Sequence, residues 1–364
     1  MATTPTTLQS PLPSPLLAIR SHGAVSSTGS SSTQLLSSWL GQLKRLRRQQ
    51  VLGHADPVTV APCAAPVAKA QGVQRLQTLL QSAMAEALGD LPPPKNPHGW
   101  RLWLVLPAHL ADADRQLLAD AASAVLGRQA PEVNLLRGGP CAGWAALHQA
   151  YAACQSDAAP GASRQVIAAV DSLCDPAVLA GAADRGELLQ AGQSEGHIAG
   201  EAAACVVLTP VGDARALPAG HLALHRPAAA RQDQAWWPSA HQPNAQPLTA
   251  ALTQALAEAG MQPQHISHLL SDMDGSDWRA LLEGDALRRA LGSAARPLAH
   301  WRPATTLGQV GAATGVLGWV LCAAGVRHGV QPANTVLSWA AEPGGQAAAC
   351  VMESSPHQPT GAAA

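Results

Sequence analysis

Short apolar runs alternate with longer amphipathic stretches along most of this chain. Runs with the length of a buried strand lie at 15–20, 100–107, 133–136, 165–170 and 203–208. Apolar residues recur at spacings of three and four, as on one face of a helix, at 32–48, 73–88, 111–126 and 143–154. Strands that alternate with helices indicate an α/β protein whose layers pack around a buried sheet.

The same pattern begins again after Pro210. The predicted strands of this second part are 221–225, 266–270, 297–301, 335–341 and 347–352. The predicted helices are 248–259, 279–291 and 310–325. The segment 227–247 is rich in proline and glutamine and is predicted to be a loop. Its two tryptophans, Trp236 and Trp237, either cap a pocket or pack against the core beneath the loop.

A repeated heptapeptide indicates an internal duplication. GEAAACV occupies 200–206 and GQAAACV occupies 345–351, each near the end of one half. Each half also contains a strand, a turn and a long helix at a comparable earlier place, 133–154 and 298–325. The predicted divisions are a flexible tail, two similar α/β halves and a second flexible tail, at 1–14, 15–210, 211–353 and 354–364.

Composition and charge narrow the class of protein. Of 364 residues, 47% are apolar and 13% are charged, and the net charge is -1, so neither a disordered chain nor a nucleic-acid-binding protein is expected. No apolar run reaches the ~18 residues of a membrane span. The first residues lack the features of a signal peptide, and the seven cysteines are scattered, which favours reduced thiols in the cytoplasm.

Four segments resemble the thiolase-fold family of β-ketoacyl synthases in their order and spacing. They are AIRSHGAVSSTGSSSTQLLSSWLGQLKRLR (18–47), the block 166–208 that contains SEGHIAGEAAACVVL, TTLGQVGAATGVLGWVLCAAGVRHG (305–329) and EPGGQAAACVME (342–353). The resemblance implies a thiolase-like fold, with two similar α/β halves in a five-layer αβαβα arrangement, dimerised across a strand. Gly200, Glu201 and Gly311 match motif positions for which it implies structural roles.

The family's cysteine nucleophile lies at a tight turn between a strand and a helix. The similar turn here is NLLRGGPCAGWAALHQAY (134–151), in which Cys141 is the candidate nucleophile. A helix N-terminus lowers the pKa of a thiol and supplies N–H groups to an oxyanion hole. If ALH at 146–148 is aligned with the same tripeptide of the family, the reactive position instead falls on Pro140. Both alignments remain open.

Neither of the family's two catalytic histidines has a counterpart. Asp272 or Asp274 stands where the first histidine belongs, and Gly308, with Gln309 beside it, stands at the second. Gln309 has an amide that can donate one hydrogen bond but has no acid–base capacity. His148 and His197 are interpreted as structural residues, His197 as a replacement for phenylalanine.

Three functions therefore remain open, the third being an orphan scaffold or binding protein that keeps an acyl pocket. One is a catalytically impaired subunit of fatty-acid or polyketide metabolism that binds acyl chains and pairs with an active ketosynthase, as chain-length factors do. The alternative is an acyltransferase, a 3-oxoacyl synthase that uses Cys141 as thioester nucleophile. The implied partners are acyl carrier protein and a second subunit, in a homodimer or a heterodimer. No cofactor or metal is implied, and the acyl donor would be a thioester of acyl carrier protein or coenzyme A. The bulky Trp144 beside the turn, and a C-terminal loop without an aromatic residue at 340–345, predict a rebuilt acyl pocket.

Overall fold

The computed structural model describes residues 16–64, 67, 70–89, 91, 99–127, 132–156, 164–190, 192–193, 195–212, 217–236, 243–292, 298–330 and 335–355. The first part of the chain forms β1 (Leu16–Ser26), α1 (Ser32–Leu40), β2 (Arg47–Gln49), β3 (Val58–Ala61), α2 (Gly72–Gly89), β4 (Trp100–Pro107), α3 (Asp112–Leu126), β5 (Glu132–Gly138), α4 (Ala142–Ser156), β6 (Arg164–Ser172), α5 (Pro176–Asp184) and β7 (Ala199–Val211).

The second part continues the alternation of strands and helices. It forms β8 (Leu222–Leu224), β9 (Ala228–Arg231), α6 (Gln246–Glu258), β10 (His268–Ser271), α7 (Asp277–Leu291), β11 (Ala299–Trp301), α8 (Ala304–Leu307), α9 (Thr314–Arg327), β12 (Thr335–Ala341) and β13 (Gln346–Ser354). The predicted strand and helix types are confirmed in both parts. The central strands are buried on both faces, which explains why they form continuous apolar runs in the sequence.

The sheet has the same strand arrangement on its two sides. Its order is β11-β10-β12-β13-β8-β1-β7-β6-β4-β5. On one side β5, β4 and β6 are parallel, while β7 and β1 join them in antiparallel pairs. On the other side β11, β10 and β12 are parallel, and β13 and β8 follow in antiparallel pairs. β1 pairs with β8 at the centre, and the two repeated heptapeptides fall in or beside the equivalent strands β7 and β13.

Three layers of helices separate and cover the two sides of the sheet. α4 and α9 lie in the middle, in a core cluster that also contains residues of β1, β7, β12 and β13. α2 and α3 cover β4, β6 and β7 on one outer face. α6 and α7 cover β12 and β13 on the other outer face. The result is the expected five-layer αβαβα arrangement.

Two predicted helices differ from the observed ones. The helix predicted at 32–48 ends at Leu40, because Gly41 caps it and the basic residues that follow have no apolar face to bury. The helix predicted from 310 begins at Thr314, after a short 3₁₀ turn at Gly311–Ala313. Gly311 has a φ of 52°, which favours a residue without a Cβ.

The predicted loop at 227–247 is partly structured. It contains β9, and α6 begins within its last residues. Trp236 is buried and stacks on Trp278, with ring centroids 6.1 Å apart, so it packs against the core. Trp237 lies outside the described residues, as do the predicted tail at 1–14 and the residues after 355 of the second tail. The division at 210 and 211 stays a prediction.

Within the described part of the chain, the helices are all too short or too polar to cross a membrane. All seven cysteines are free thiols, six of them buried.

Candidate functional site

The turn between β5 and α4 is built as the sequence predicted. β5 ends at Gly138, and the N–H of Ala142 closes the turn by donating to the carbonyl of Gly139 at 3.0 Å. α4 then packs closely on α9. A Cβ at Gly315 would collide with the ring of Trp144, so this position requires glycine.

Cys141 points away from any open space. It is fully buried, and its Sγ lies 3.3 Å from the carbonyl oxygen of Ala340 and 3.6 Å from that of Gln346. Burial raises the pKa of the Cys141 thiol well above its usual range, and the carboxylates of Glu342 and Asp272 raise it further. The activation expected at a helix N-terminus is therefore not observed, because desolvation and neighbouring negative charge outweigh the helix dipole.

Of the two candidate nucleophile positions, Pro140 and not Cys141 faces a cavity, although Pro140 is also buried. Its ring lines a cavity of about 300 Å³ that also reaches Asp274, Gln309 and Arg279. This cavity brings together the two sequence-predicted histidine positions and the alternative nucleophile position. Proline has neither a nucleophilic side chain nor a backbone N–H.

Glu342 fills the N-terminus of α4. Its Oε1 accepts hydrogen bonds from the N–H of Gly139 at 3.2 Å and from the N–H of Cys141 at 3.0 Å. The carboxylate comes from the turn between β12 and β13, about 200 residues further along the chain. The two N–H groups that flank Pro140 are thus already hydrogen-bonded to a negative charge.

Of the two aspartates at the first histidine position, Asp274 faces the cavity. Arg279 Nε lies 3.0 Å from Asp274 Oδ2, and Arg279 Nη1 donates to Asp272. Burial raises the pKa of Asp272 to about 6, against the opposing charge of Arg279. Burial also acts to raise the pKa of Asp274, but the charge of Arg279 and hydrogen bonds from Ser276 outweigh it and lower the pKa. Asp274 is therefore an ionised acceptor and has no proton to donate at neutral pH.

At the second histidine position, Gln309 rather than Gly308 supplies the side chain. Gln309 Nε2 donates to Asp274 Oδ2 at 3.3 Å, and Thr314 donates to Gln309 Oε1 at 2.9 Å. Gly308 has a φ of 73°, and a Cβ there would lie 2.8 Å from the carbonyl oxygen of Ile198. Both ends of the Gln309 amide are thus engaged within the protein.

Asp171 is a cavity residue that the sequence analysis did not identify. It is buried, and its carboxylate accepts from the N–H of Ser172 at 2.7 Å and from that of Ala312 at 2.8 Å. Burial raises its pKa to about 7, although both hydrogen bonds oppose the shift. The available signal was its place directly after the apolar run 165–170, at the end of a buried strand.

Other titratable side chains surround the cavity mouth. His109, Glu187, Glu195 and His197 line it. Burial lowers the pKa of His197, so its imidazole is neutral at pH 7. His148 is instead exposed on α4, away from the cavity. The described residues include no group of three or more His, Cys, Asp or Glu side chains arranged for a metal ion.

The residues expected to be structural lie outside the cavity or allow close packing. Glu201 is fully buried and accepts hydrogen bonds from Arg75 and, at 2.8 Å, from Ser172 Oγ. A Cβ at Gly200 would collide with the carbonyl of Leu307, and one at Gly311 with the carboxylate of Asp171. Scaffold roles fit these contacts.

Trp144 does not line this cavity, but it lines a smaller pocket of about 20 Å³ that also reaches Asp272 and Gln309. The rebuilt acyl pocket expected from the sequence stays a prediction. The Trp144 ring packs edge-on against Trp319 in the middle helix layer, with centroids 5.5 Å apart. The cavity wall at the C-terminal loop is formed by Pro343.

Comparisons with known proteins find similarity to β-ketoacyl synthases and polyketide synthases. Residues 222–338 match the model of the β-ketoacyl synthase C-terminal domain. The chain is 30% identical over 194 residues to a phenolphthiocerol/phthiocerol polyketide synthase subunit of Mycobacterium tuberculosis (strain CDC 1551 / Oshkosh), a match that covers 50% of this chain and 10% of that protein. The Mycobacterium bovis (strain ATCC BAA-935 / AF2122/97) protein of the same name matches equally, so the chain spans about a tenth of the length of these relatives.

Solved structures share the fold over nearly the whole chain. A type II polyketide ketosynthase bound to its acyl carrier protein, AntDE:AntF, has a TM-score of 0.77 at 13% identity, covering 93% of this chain and 99% of that one. The ishigamide ketosynthase/chain length factor has a TM-score of 0.70 at 15% identity, with 93% and 99% covered. The module 6 ketosynthase of bacillaene synthase from Bacillus subtilis 168 has a TM-score of 0.72 at 14% identity, with 94% and 72% covered.

Proposed function

We propose that this chain is a member of the β-ketoacyl synthase family, and that it is a non-catalytic, acyl-binding subunit of polyketide or fatty-acid synthesis that pairs with an active ketosynthase. The observation that carries the proposal is that Pro140 lines the cavity at the β5–α4 turn, while Cys141 is turned into the core. The remaining features of the cavity point the same way.

The sulfur of Cys141, the candidate nucleophile, does not face the cavity. A thioester reaches a thiolate only if the sulfur faces the space where the substrate lies. Cys141 Sγ instead contacts the carbonyl oxygens of Ala340 and Gln346 and has a raised pKa. Acyl transfer through Cys141 would require the turn to rearrange so that position 141 moved to where Pro140 now lies.

The N–H groups on either side of Pro140 are not free to stabilise an oxyanion. Acyl transfer needs hydrogen-bond donors aimed at the developing negative charge. Pro140 has no N–H, and the neighbouring N–H groups of Gly139 and Cys141 donate to Glu342. A substrate oxygen would have to displace a carboxylate of this chain to use them.

Asp274 and Gln309, at the two histidine positions, are poorly suited to proton transfer and decarboxylation. Asp274 is ionised and paired with Arg279, and the amide of Gln309 is held by Asp274 and Thr314. An ionised carboxylate disfavours both an enolate oxygen and the carboxylate of a decarboxylating substrate because all carry negative charge. These positions favour binding of a neutral acyl group over condensation.

The cavity and its surroundings suit a bound acyl chain. Its walls include Pro107, Leu173, Trp278 and Pro343. His109 lines both the cavity and a second groove of about 740 Å³, which is the entrance that we propose for a chain carried on a flexible arm. Acyl carrier protein is the carrier that we propose, by analogy with the ketosynthase complex to which this fold is similar.

The partner subunit would pair along β5. β5 is the last strand of the sheet order, and within the described residues its outer edge has no strand partner. Leu135 on this strand is 42% exposed. A free strand edge with an exposed apolar residue favours pairing with a second subunit. We place this assembly in the cytoplasm.

Intact-protein mass spectrometry tests the catalytic part of the proposal. The purified protein is incubated with acyl-coenzyme A and with acylated carrier protein, beside the variant C141A and an active ketosynthase as positive control. We expect an adduct on the active ketosynthase and none on this chain. An adduct on this chain that disappears in C141A would establish the acyltransferase alternative and overturn the proposal.

Co-expression tests the assembly. The chain and an active ketosynthase of the same organism are expressed together with a tag on one subunit only. The complex is then measured by size-exclusion chromatography with light scattering. We expect a heterodimer that L135R disrupts, while L281S, which changes a similarly exposed leucine on α7, leaves it intact. A chain that stays monomeric or forms only homodimers contradicts the pairing.

A further inference from the structure

Residues 40–52, here named the basic leucine segment, carry an uncompensated positive charge. The first 55 residues of the chain contain no Asp or Glu, while Lys44, Arg45, Arg47 and Arg48 fall within five consecutive positions. The whole chain has a net charge of only -1, so this positive charge is strongly local.

The cations of the basic leucine segment are exposed and unpaired. Their side chains make no hydrogen bond or ion pair to any residue that the structure describes. On α7, by contrast, the exposed Arg288 and Arg289 pair with Asp285. Four adjacent unpaired cations form a surface that attracts a polyanion.

Leucines of the same segment project into solvent. Leu40 is 51% exposed, Leu43 59%, Leu46 38% and Leu52 85%. These are four of the nine large apolar side chains that are exposed among the described residues, and they alternate with the cations along the chain. Alternating cations and exposed leucines are typical of surfaces that bind a charged layer overlying an apolar one.

A crevice of about 390 Å³ opens beside the segment. Arg45 is its only charged lining residue, and the hydroxyl-bearing residues that line it are Ser26, Ser27, Thr28, Ser30, Thr33, Ser37 and Ser38. Of these, Ser30, Thr33 and Ser37 are exposed. Hydroxyl donors and a guanidinium, without a carboxylate, match the oxygens of a phosphodiester.

We propose that the basic leucine segment and this crevice bind the surface of a membrane that contains anionic phospholipid. The cations attract the headgroups, the hydroxyls of the crevice donate to headgroup phosphates, and the leucines enter the boundary with the acyl chains. The exposed leucines favour this occupant over a nucleic acid, whose backbone offers no apolar layer and whose bases call for aromatic side chains. The inference stands apart from the proposed acyl-binding function, since it uses none of the cavity residues.

Vesicle sedimentation tests the proposal with the full chain. One set of vesicles is phosphatidylcholine alone, and the other is an equimolar mixture of phosphatidylcholine and phosphatidylglycerol. The charge variant K44Q/R45Q is compared with R288Q/R289Q, which removes the same net charge from α7. The apolar variant L43S/L46S is compared with L117S/L281S, which changes two leucines exposed by 52% each on α3 and α7.

We expect the wild-type chain to sediment with the mixed vesicles only, and to be released as salt is raised. Its partition coefficient should fall about tenfold or more in K44Q/R45Q and about fivefold in L43S/L46S, and stay within about twofold in both controls. Absence of sedimentation with the mixed vesicles, or equal losses in the control variants, would overturn the proposal. A second result would also overturn it: the chain does not bind vesicles but binds a purified acidic carrier protein, and K44Q/R45Q abolishes that binding. The segment would then be a protein-docking surface.

Discussion

Removing the carboxylate of Glu342 should destabilise the protein at the turn that holds Pro140. Glu342 Oε1 is the shared acceptor for the N–H groups of Gly139 and Cys141. In E342A both donors lose their partner, whereas E342Q keeps an amide oxygen in nearly the same place. The pair of variants therefore separates the hydrogen bonds from the negative charge.

The size of each effect follows from the geometry. Both hydrogen bonds are only partly buried, so each orphaned N–H costs about 1 kcal/mol, at the low end for buried donors. Loss of the negative charge at the N-terminus of α4 adds roughly 0.5 kcal/mol. We thus expect E342A to lower the free energy of unfolding by about 2–3 kcal/mol, and E342Q by about 0.5–1 kcal/mol.

Urea unfolding followed by circular dichroism measures these differences. With an m-value of roughly 3 kcal/mol/M, the midpoint should fall by about 0.7–1 M in E342A and about 0.2–0.3 M in E342Q. E132A is the control, since Glu132 pairs with Arg101 at 62% side-chain exposure and contributes little. If E342A matched E132A, or if E342Q cost as much as E342A, the carboxylate would not be the acceptor that stabilises this turn.

Three further predictions concern single positions. P140C should place a thiol in the cavity, and iodoacetamide should alkylate this thiol about a hundredfold faster than Cys141, as measured by peptide mapping. Rapid labelling of Cys141 in the wild type would contradict the assigned orientation. Burial and the charge of Arg327 lower the pKa of His22 to about 4, while the unfolded chain takes up this proton near pH 6.5. The free energy of unfolding should thus fall by ~3 kcal/mol in total as the pH falls from 6.5 to 4. H22L should lose that part of the pH dependence, while H148L, at an exposed site, should keep it. G311A should lower the free energy of unfolding by ~3 kcal/mol or more, because its Cβ would collide with Asp171 at a φ of 52°. In thermal unfolding, G53A, at a φ of 83° in open space, should cost only about 1 kcal/mol. Similar losses in both variants would show that the contact with Asp171 is unimportant.

The order and type of the elements could be predicted because they depend on local periodicity. The apolar run at 100–107 coincides with β4, and the spacing at 73–88 lies within α2. The helix predicted to run to 48 shows the limit, since α1 ends where its apolar face loses a neighbour to pack against. Whether a periodic stretch continues as a helix depends on what lies beside it, and the local pattern does not contain that information.

The candidate site shows the same division more sharply. The sequence by itself determined that a strand-to-helix turn lies at 138–142, that either a cysteine or a proline holds its nucleophile position, and that neither expected histidine is present. Only the tertiary structure decided that Pro140 faces the cavity and that Glu342, distant in sequence, occupies the N–H groups beside it. It also selected Asp274 over Asp272. The physical reason is that a side chain's direction at a tight turn, and the pairing of groups about 200 residues apart, follow from how the two halves pack together and not from the spacing of residues along either one.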